Sequence, residues 1–168
     1  MNPIVMDLEA SGLDNESYPI EVGFALENGD VHSWLIKREP GWTHWNPESA
    51  KIHNITRDQL TNEGLYAPDV AKLLNSHLSG KTVYTDAKDH DEFWVNVLFE
   101  TVGIEREFKV ESIQSLFINQ LQSPLFYKTR NELYKKTVRH RAGNDAVVIQ
   151  EAFIVSAIDT KRYLNNIS

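Results

Sequence analysis

The sequence predicts a three-layer α/β domain built on a mixed five-stranded sheet. Three observations carry this reading. The chain opens with three adjacent strand-like runs. Helix-period segments interleaved with short β-rich runs follow them. The length of 168 residues, 41% of them apolar, is enough for one sizeable core without staples.

The opening run, Pro3 to Glu9, is β-rich and reads as a strand. Ser11 to Ser17 supplies turn residues. Pro19 to Leu26 and Val31 to Ile36 read as the next two strands, joined by Asn28-Gly29-Asp30, where tolerance of positive φ suits a hairpin. These first three strands are expected to be antiparallel. Thr56 is placed to cap a short helix through Leu60. Pro68 to Leu78 carries Val70, Leu73, Leu74 and Leu78 at helical spacing, with Gly80 as the stop. Lys81 to Tyr84 is a short strand. Asp91 to Phe99 is a helix with Trp94, Val95, Leu98 and Phe99 on one stripe. Phe108 to Val110 is a fifth strand, and Ser112 to Gln120 a helix. Tyr127 to Arg141 fits either helix or loop. Asn144 to Ala157 is a helix whose buried face is outlined by Val147, Val148, Ile149, Phe153, Ile154 and Ala157. No repeat, low-complexity tract or linker divides the chain, so residues 1–168 are expected to form a single domain.

Composition excludes several classes of protein. There is no cysteine, hence no disulfide framework and no thiolate metal site, and a cytoplasmic location is expected. No window approaches a membrane span, and Asp7 and Glu9 interrupt the first apolar run too early for a secretory signal. The formal charge of −7 argues against a protein that coats long nucleic acid. The charge is uneven, however. Tyr127 to Arg141 holds Lys128, Arg130, Lys135, Lys136, Arg139 and Arg141 against the single acid Glu132. Such a run is either a solvated helix face or a patch that meets phosphates.

The chemistry begins at Asp7 and Glu9. Side chains alternate along a strand, so these two carboxylates share a face. Like charges placed so close persist when they are solvated or when a cation sits between them, and hard divalent cations take oxygen ligands. Further acids lie at Asp86, Asp89, Asp91 and Glu92, where a strand runs into a helix. His140 precedes Asp145 by five residues at the entry to the last helix. Taken singly, each has a plain reading as a helix-start acid or a surface histidine.

Taken in order, these pieces resemble the DEDDh 3′–5′ exonuclease family. Its ribonuclease-H-like members include RNase T, oligoribonuclease and the proofreading subunit of bacterial DNA polymerase. Asp7-Leu8-Glu9-Ala10-Ser11-Gly12-Leu13 is close to the family's D-[IL]-E-T-[ST]-G-L, and Pro19 to Leu26 is similar to its second strand. Ile52-His53-Asn54-Ile55 resembles V-H-G-I, with Asn54 in place of Gly. His140-Arg141-Ala142-Gly143-Asn144-Asp145-Ala146 is close to H-R-A-x-x-D-A. The family's H-N-x-x-F-D does not occur. Aligned without a gap, Val83 to Val95 puts Asp86 at the family's Asn and Asp91 at its metal-binding Asp, with Asp86 the alternative ligand.

The resemblance implies a metal-dependent 3′–5′ exonuclease that releases nucleoside 5′-monophosphates from short or single-stranded nucleic acid. Asp7, Glu9, Asp91 and Asp145 would hold two Mg²⁺ or Mn²⁺ ions about 3.5–4 Å apart. His140 would be the general base, on a flexible loop before Gly143, with nearby carboxylates tending to raise its pKa above about 6.5 and bound metals opposing that shift. Backbone at Ala10 and Ser11 would meet the 3′-end, Leu13 would wedge against the last base, and His53 and Ile55 would form the opposite wall. Lys135, Lys136 and Arg139 would hold upstream phosphates. Trp42 and Trp45 would either stack on bases or pack into the core. RNA is the expected substrate, because the second motif aligns best with oligoribonuclease-like sequences. A DNA exonuclease of proofreading or repair type is the alternative, and a non-catalytic binding module on the same fold is a third reading. A homodimer is expected by the same resemblance.

Overall fold

In the computed structural model, which describes residues 2–167, the opening run forms β1 (Ile4–Ala10) at the centre of a five-stranded sheet. Met1 and Ser168, the ends of the expected domain, lie outside the described residues. β2 (Pro19–Ala25) pairs antiparallel with β1, and β3 (Val31–Leu35) antiparallel with β2. On the other side β4 (Thr82–Thr85) and β5 (Lys109–Ser112) run parallel to β1, giving the order β3-β2-β1-β4-β5. The sheet is therefore mixed, with its first three strands antiparallel as the sequence predicts.

Period-two alternation builds the layers. Ile4, Met6, Leu8 and Ala10 of β1 enter one core with α3 (Ala67–Leu78) and α4 (Lys88–Val102). Val5 enters a second core, on the other face, with α5 (Gln122–Tyr134) and α6 (Ala142–Ile167). Asp7 and Glu9 continue Val5's side of the strand and so lie on the α5–α6 side of the sheet. Two short helices, α1 (Pro47–His53) and α2 (Arg57–Glu63), lie between β3 and α3. Thr56 caps α2 in a capping box with Gln59, as its position predicts. No helix among the described residues is long and apolar enough to cross a membrane.

Two segments depart from expectation. Ser112 to Gln120 is not a helix, because only a single 3₁₀ turn forms over Ile113–Leu116. Phe117 is extended, Asn119 accepts the Leu121 amide at 2.9 Å, and Gln122 accepts the Ile118 amide at 2.8 Å. These local side-chain bonds turn the chain before α5 begins. α1 was not anticipated. It is held by Asn46, whose side chain accepts the Glu48 and Ser49 amides, and by Pro47 at its first position. It ends at Asn54, whose φ of 56° occupies the left-handed region that Gly or Asn tolerates. Asn54 can therefore stand where the family has Gly.

Gly23 in β2 decides how closely α6 approaches the sheet. It pairs with Asp7 across the β1–β2 ladder, and a Cβ there would lie 2.2 Å from the Gly143 amide nitrogen. Gly143 is thus a packing residue in the first turn of α6 and not part of the flexible loop the sequence suggested. The close crossing brings the start of α6 over the acidic end of β1. Gly23→Ala should cost about 1–3 kcal/mol by overpacking and push α6 away. Thermal unfolding and activity should fall together, and a variant with unchanged melting would contradict this account.

Candidate active site

A cleft of about 350 Å³ opens where β1 and β4 end, the usual position for a site on parallel strands. Asp7 and Glu9 come from β1, Asp86 from the turn after β4, and Asp91 from the first turn of α4. Asp145 comes from the first turn of α6, and His140 from the loop before it. The structure therefore brings the five predicted acid and histidine residues to one place, together with Asp86.

The surroundings of each acid explain its electrostatics. Asp7 is raised well above the ordinary carboxylate range by burial, then by repulsion from Asp91, Glu9, Asp145 and Asp86. Glu9 is pushed up to about 8 by burial and by Asp145, Glu21 and Asp91, with Arg141 opposing. Asp91 also reaches about 8, chiefly through burial, although hydrogen bonds from the Thr85 hydroxyl and the Leu8 backbone pull it back. Asp145 rises to about 6 by burial. The His140 backbone N–H, donating to its Oδ2 at 3.0 Å, and Arg139 both moderate this. Buried carboxylates that raise one another are a suitable environment for a cation.

The donor set fits a divalent metal. Ligand atoms of Glu9, His140 and Asp145 lie within 4.8 Å of one another. Asp145 Oδ1 is buried with no protein partner. The remaining donors are carboxylate oxygens, the ligand type hard cations such as Mg²⁺ prefer. Asp86 differs from Asp91. It is ion-paired to Arg130, whose guanidinium lies against the rings of Tyr127 and Tyr134. Asp91 has no such cation among the described residues, and it is the acid that acts most strongly on Asp7.

His140 departs from expectation in one respect. Its pKa is lowered by burial and by Arg139, and is not raised by the acids. Its backbone sits in the left-handed region at φ 59°, a strained conformation for a non-glycine residue.

The outer residues divide. Ala10, Leu13, His53 and Arg139 line the cleft, Leu13 with 70% of its surface exposed. Ser11 is buried beneath that wall. His53 Nδ1 accepts the Ile55 amide at 3.0 Å, while its Nε2 is buried without a partner. Ile55 is not on the wall. It is 2% exposed and belongs to the core, and Ile52, 54% exposed, lines the cleft in its place. Ile52 is in the last turn of α1, whereas Ile55 follows the left-handed turn at Asn54, which sends it into the core. Lys135 and Lys136 lie outside the cleft lining, with Lys135 paired to Glu132. Arg139 lies over the Tyr134 ring. Arg141 leaves the basic patch altogether, binding the buried Glu21 through Nε at 3.1 Å and Nη2 at 2.8 Å. Trp42 is core, stacked on Tyr18, whereas Trp45 is part-buried beside Arg57 and His53.

Sequence reasoning missed Arg130 and Tyr134 of the lining. Their spacing of four within the basic run puts them on one helix face, a signal obscured because that run fitted helix and loop equally well.

No family model matches the chain, and no curated protein does. Solved structures do. The zinc-bound complex of E. coli exonuclease I with single-stranded DNA superposes on 97% of this chain at 12% identity and a TM-score of 0.68. The E. coli enzyme with a dT13 oligonucleotide covers 95% at 11% identity and a TM-score of 0.67. A moderately thermophilic exonuclease I from Methylocaldum szegediense covers 92% at 13% identity and a TM-score of 0.68. This chain spans only about two fifths of their length, 42%, 42% and 40% respectively. At such identities the likeness is one of architecture, and the chain has the ribonuclease-H-like α/β fold that it shares with the exonuclease I structures.

Proposed function

We propose that the chain is a metal-dependent 3′–5′ exonuclease acting on single-stranded nucleic acid. One observation carries the reading. Asp7, Glu9, Asp91 and Asp145 converge from three distant segments on one cleft, with His140 beside them. Their fold is one on which the E. coli enzyme was captured with single-stranded DNA.

Asp7, Glu9, Asp91 and Asp145 would hold two divalent ions, Mg²⁺ or Mn²⁺. Bound there, the ions supply Lewis-acid stabilisation of charge developing on the phosphate and a lowered pKa for the attacking water. His140 is kept neutral near pH 7 by burial and by Arg139, so it can accept the proton of that water. His53 contributes a donor. Its Nδ1 accepts a backbone N–H, so the ring proton sits on Nε2, which is buried without a protein partner. Leu13 and Ile52 offer apolar surface to the terminal nucleotide, with backbone at Ala10 near its 3′-end, whereas the expected contact at Ser11 is not available because its amide and carbonyl are bonded to Tyr18 and Asn46. Arg139 would meet an upstream phosphate, and Lys135 and Lys136 would act further along the same segment.

The second-motif alignment favours RNA, whereas the oligonucleotides bound by structures of this fold, dT13, dA13 and dA16, are DNA. Single-stranded DNA is therefore the first substrate to try, with RNA of the same sequence beside it. Both strands, 5′-labelled, should shorten in a ladder from the 3′-end with Mn²⁺ and stay intact with chelator. Well-folded protein that cuts neither strand would favour a binding module and overturn the proposal.

A further inference from the structure

His44 lies outside the acid cluster but joins the two walls of the cleft. Its Nδ1 is 3.0 Å from Ser11 Oγ, and its Nε2 is 2.9 Å from Asp14 Oδ2. Ser11 and Asp14 bracket Gly12 and Leu13, which form one wall. Two residues after His44, Asn46 donates its backbone N–H to Ser11 O at 2.7 Å and caps α1 with its side chain. α1 carries Ser49, Ile52 and His53 of the facing wall. Gly12 allows the imidazole to lie against the loop, since a Cβ there would sit 2.3 Å from His44 Cε1.

The order Ser–His–Asp invites comparison with a hydrolytic triad. Burial argues otherwise, because Ser11 is 1% exposed and its Oγ already accepts the Tyr18 amide at 3.1 Å. The proton count closes without any reaction. Asp14 accepts from Nε2–H, Nδ1 accepts from the Ser11 hydroxyl, and Ser11 accepts from the Tyr18 amide. Leu13, Asp14, Asn15 and Glu16 are exposed. Ser17, which donates to Asp14 O and accepts from Trp94 Nε1 at 2.9 Å, ties the far end of the turn to α4, and the His44 network ties the turn to the segment that leads into α1.

We infer that His44 is a positioning residue that sets the separation of Leu13 and Ile52, and with it the seating of the 3′-terminal base. This rests on the exonuclease reading. The test compares dT10 with the same oligonucleotide ending in an abasic 3′-residue, both with Mn²⁺. Wild type should prefer the intact end. His44→Ala should raise KM for dT10 about tenfold and erase that preference, with kcat and turnover of the abasic end nearly unchanged. His44→Asn retains an amide at the Nδ1 position and His44→Gln one at the Nε2 position. Each should restore part of the preference, and the two carry the comparison if the alanine variant does not fold. Equal losses on both ends, an unchanged KM in His44→Ala, or a wild type indifferent to the terminal base would each overturn the inference. A wild type that cuts neither oligonucleotide would sink the exonuclease reading itself.

Discussion

Asp7→Ala should lower turnover at least about 10³-fold while leaving the protein folded. Metal ligation supplies several kcal/mol of charge stabilisation, and each ~1.4 kcal/mol is a factor of ten in rate. Asp7 is the residue on which the other acids converge, since Asp91, Glu9, Asp145 and Asp86 all raise it. Removing it deletes a ligand between the two sides of the cleft and leaves no neighbouring acid placed to substitute. Asp86 is already committed to Arg130. The same change relieves repulsion, so the metal-free variant should melt no lower than metal-free wild type. The ladder assay and a melting curve read both effects. Activity within tenfold of wild type would remove Asp7 from the site.

Much of this arrangement was legible in the sequence, for identifiable reasons. Period-two alternation placed Asp7 and Glu9 on one face whatever the tertiary structure. Thr56 announced an N-cap, and the apolar stripe Val147 to Ala157 announced α6. Gly23 was a readable sign of close backbone approach in a strand, but its partner Gly143 lies far along the chain, and only the fold joins them. The rest depended on pairings that spacing does not encode. Arg141 read only as part of a run that was either a solvated face or a phosphate patch, and in the fold Glu21, cross-strand neighbour of Glu9, takes its guanidinium. Ile52 and Ile55 are three residues apart in one motif, and the left-handed turn at Asn54 sends one outward and the other into the core. The charge run hid a division of labour. Arg130 secures Asp86, Arg139 lines the cleft, and Lys135 pairs with Glu132 in solvent.

Metal-free protein should lose stability as pH rises from about 6.5 to 8.5, and Mg²⁺ should restore it. In the unfolded chain these carboxylates titrate near pH 4. In the folded protein Glu9 and Asp91 titrate near 8 and Asp145 near 6, with Asp7 also raised. The folded state therefore holds more protons between those limits, and stability falls with increasing pH until the last of the acids has ionised. Below about pH 6.5 three histidines oppose the trend. His53, His77 and His140 are all lowered, so protons then favour the unfolded chain. The acids alone govern the upper window. Cations bound among the carboxylates compensate the charge that deprotonation exposes, so the rise in melting temperature with Mg²⁺ should be largest at pH 8.5. Each ~1 kcal/mol relieved corresponds to about 2–4 °C in a chain of this size. Melting curves with chelator and with Mg²⁺ at pH 6.5, 7.5 and 8.5 measure the whole effect. In Asp7→Ala both the slope with chelator and the metal increment should shrink, because one of the mutually repelling charges is gone. A flat chelator curve, or an equal metal increment in the variant, would mean that the acids of this cleft do not share a cation.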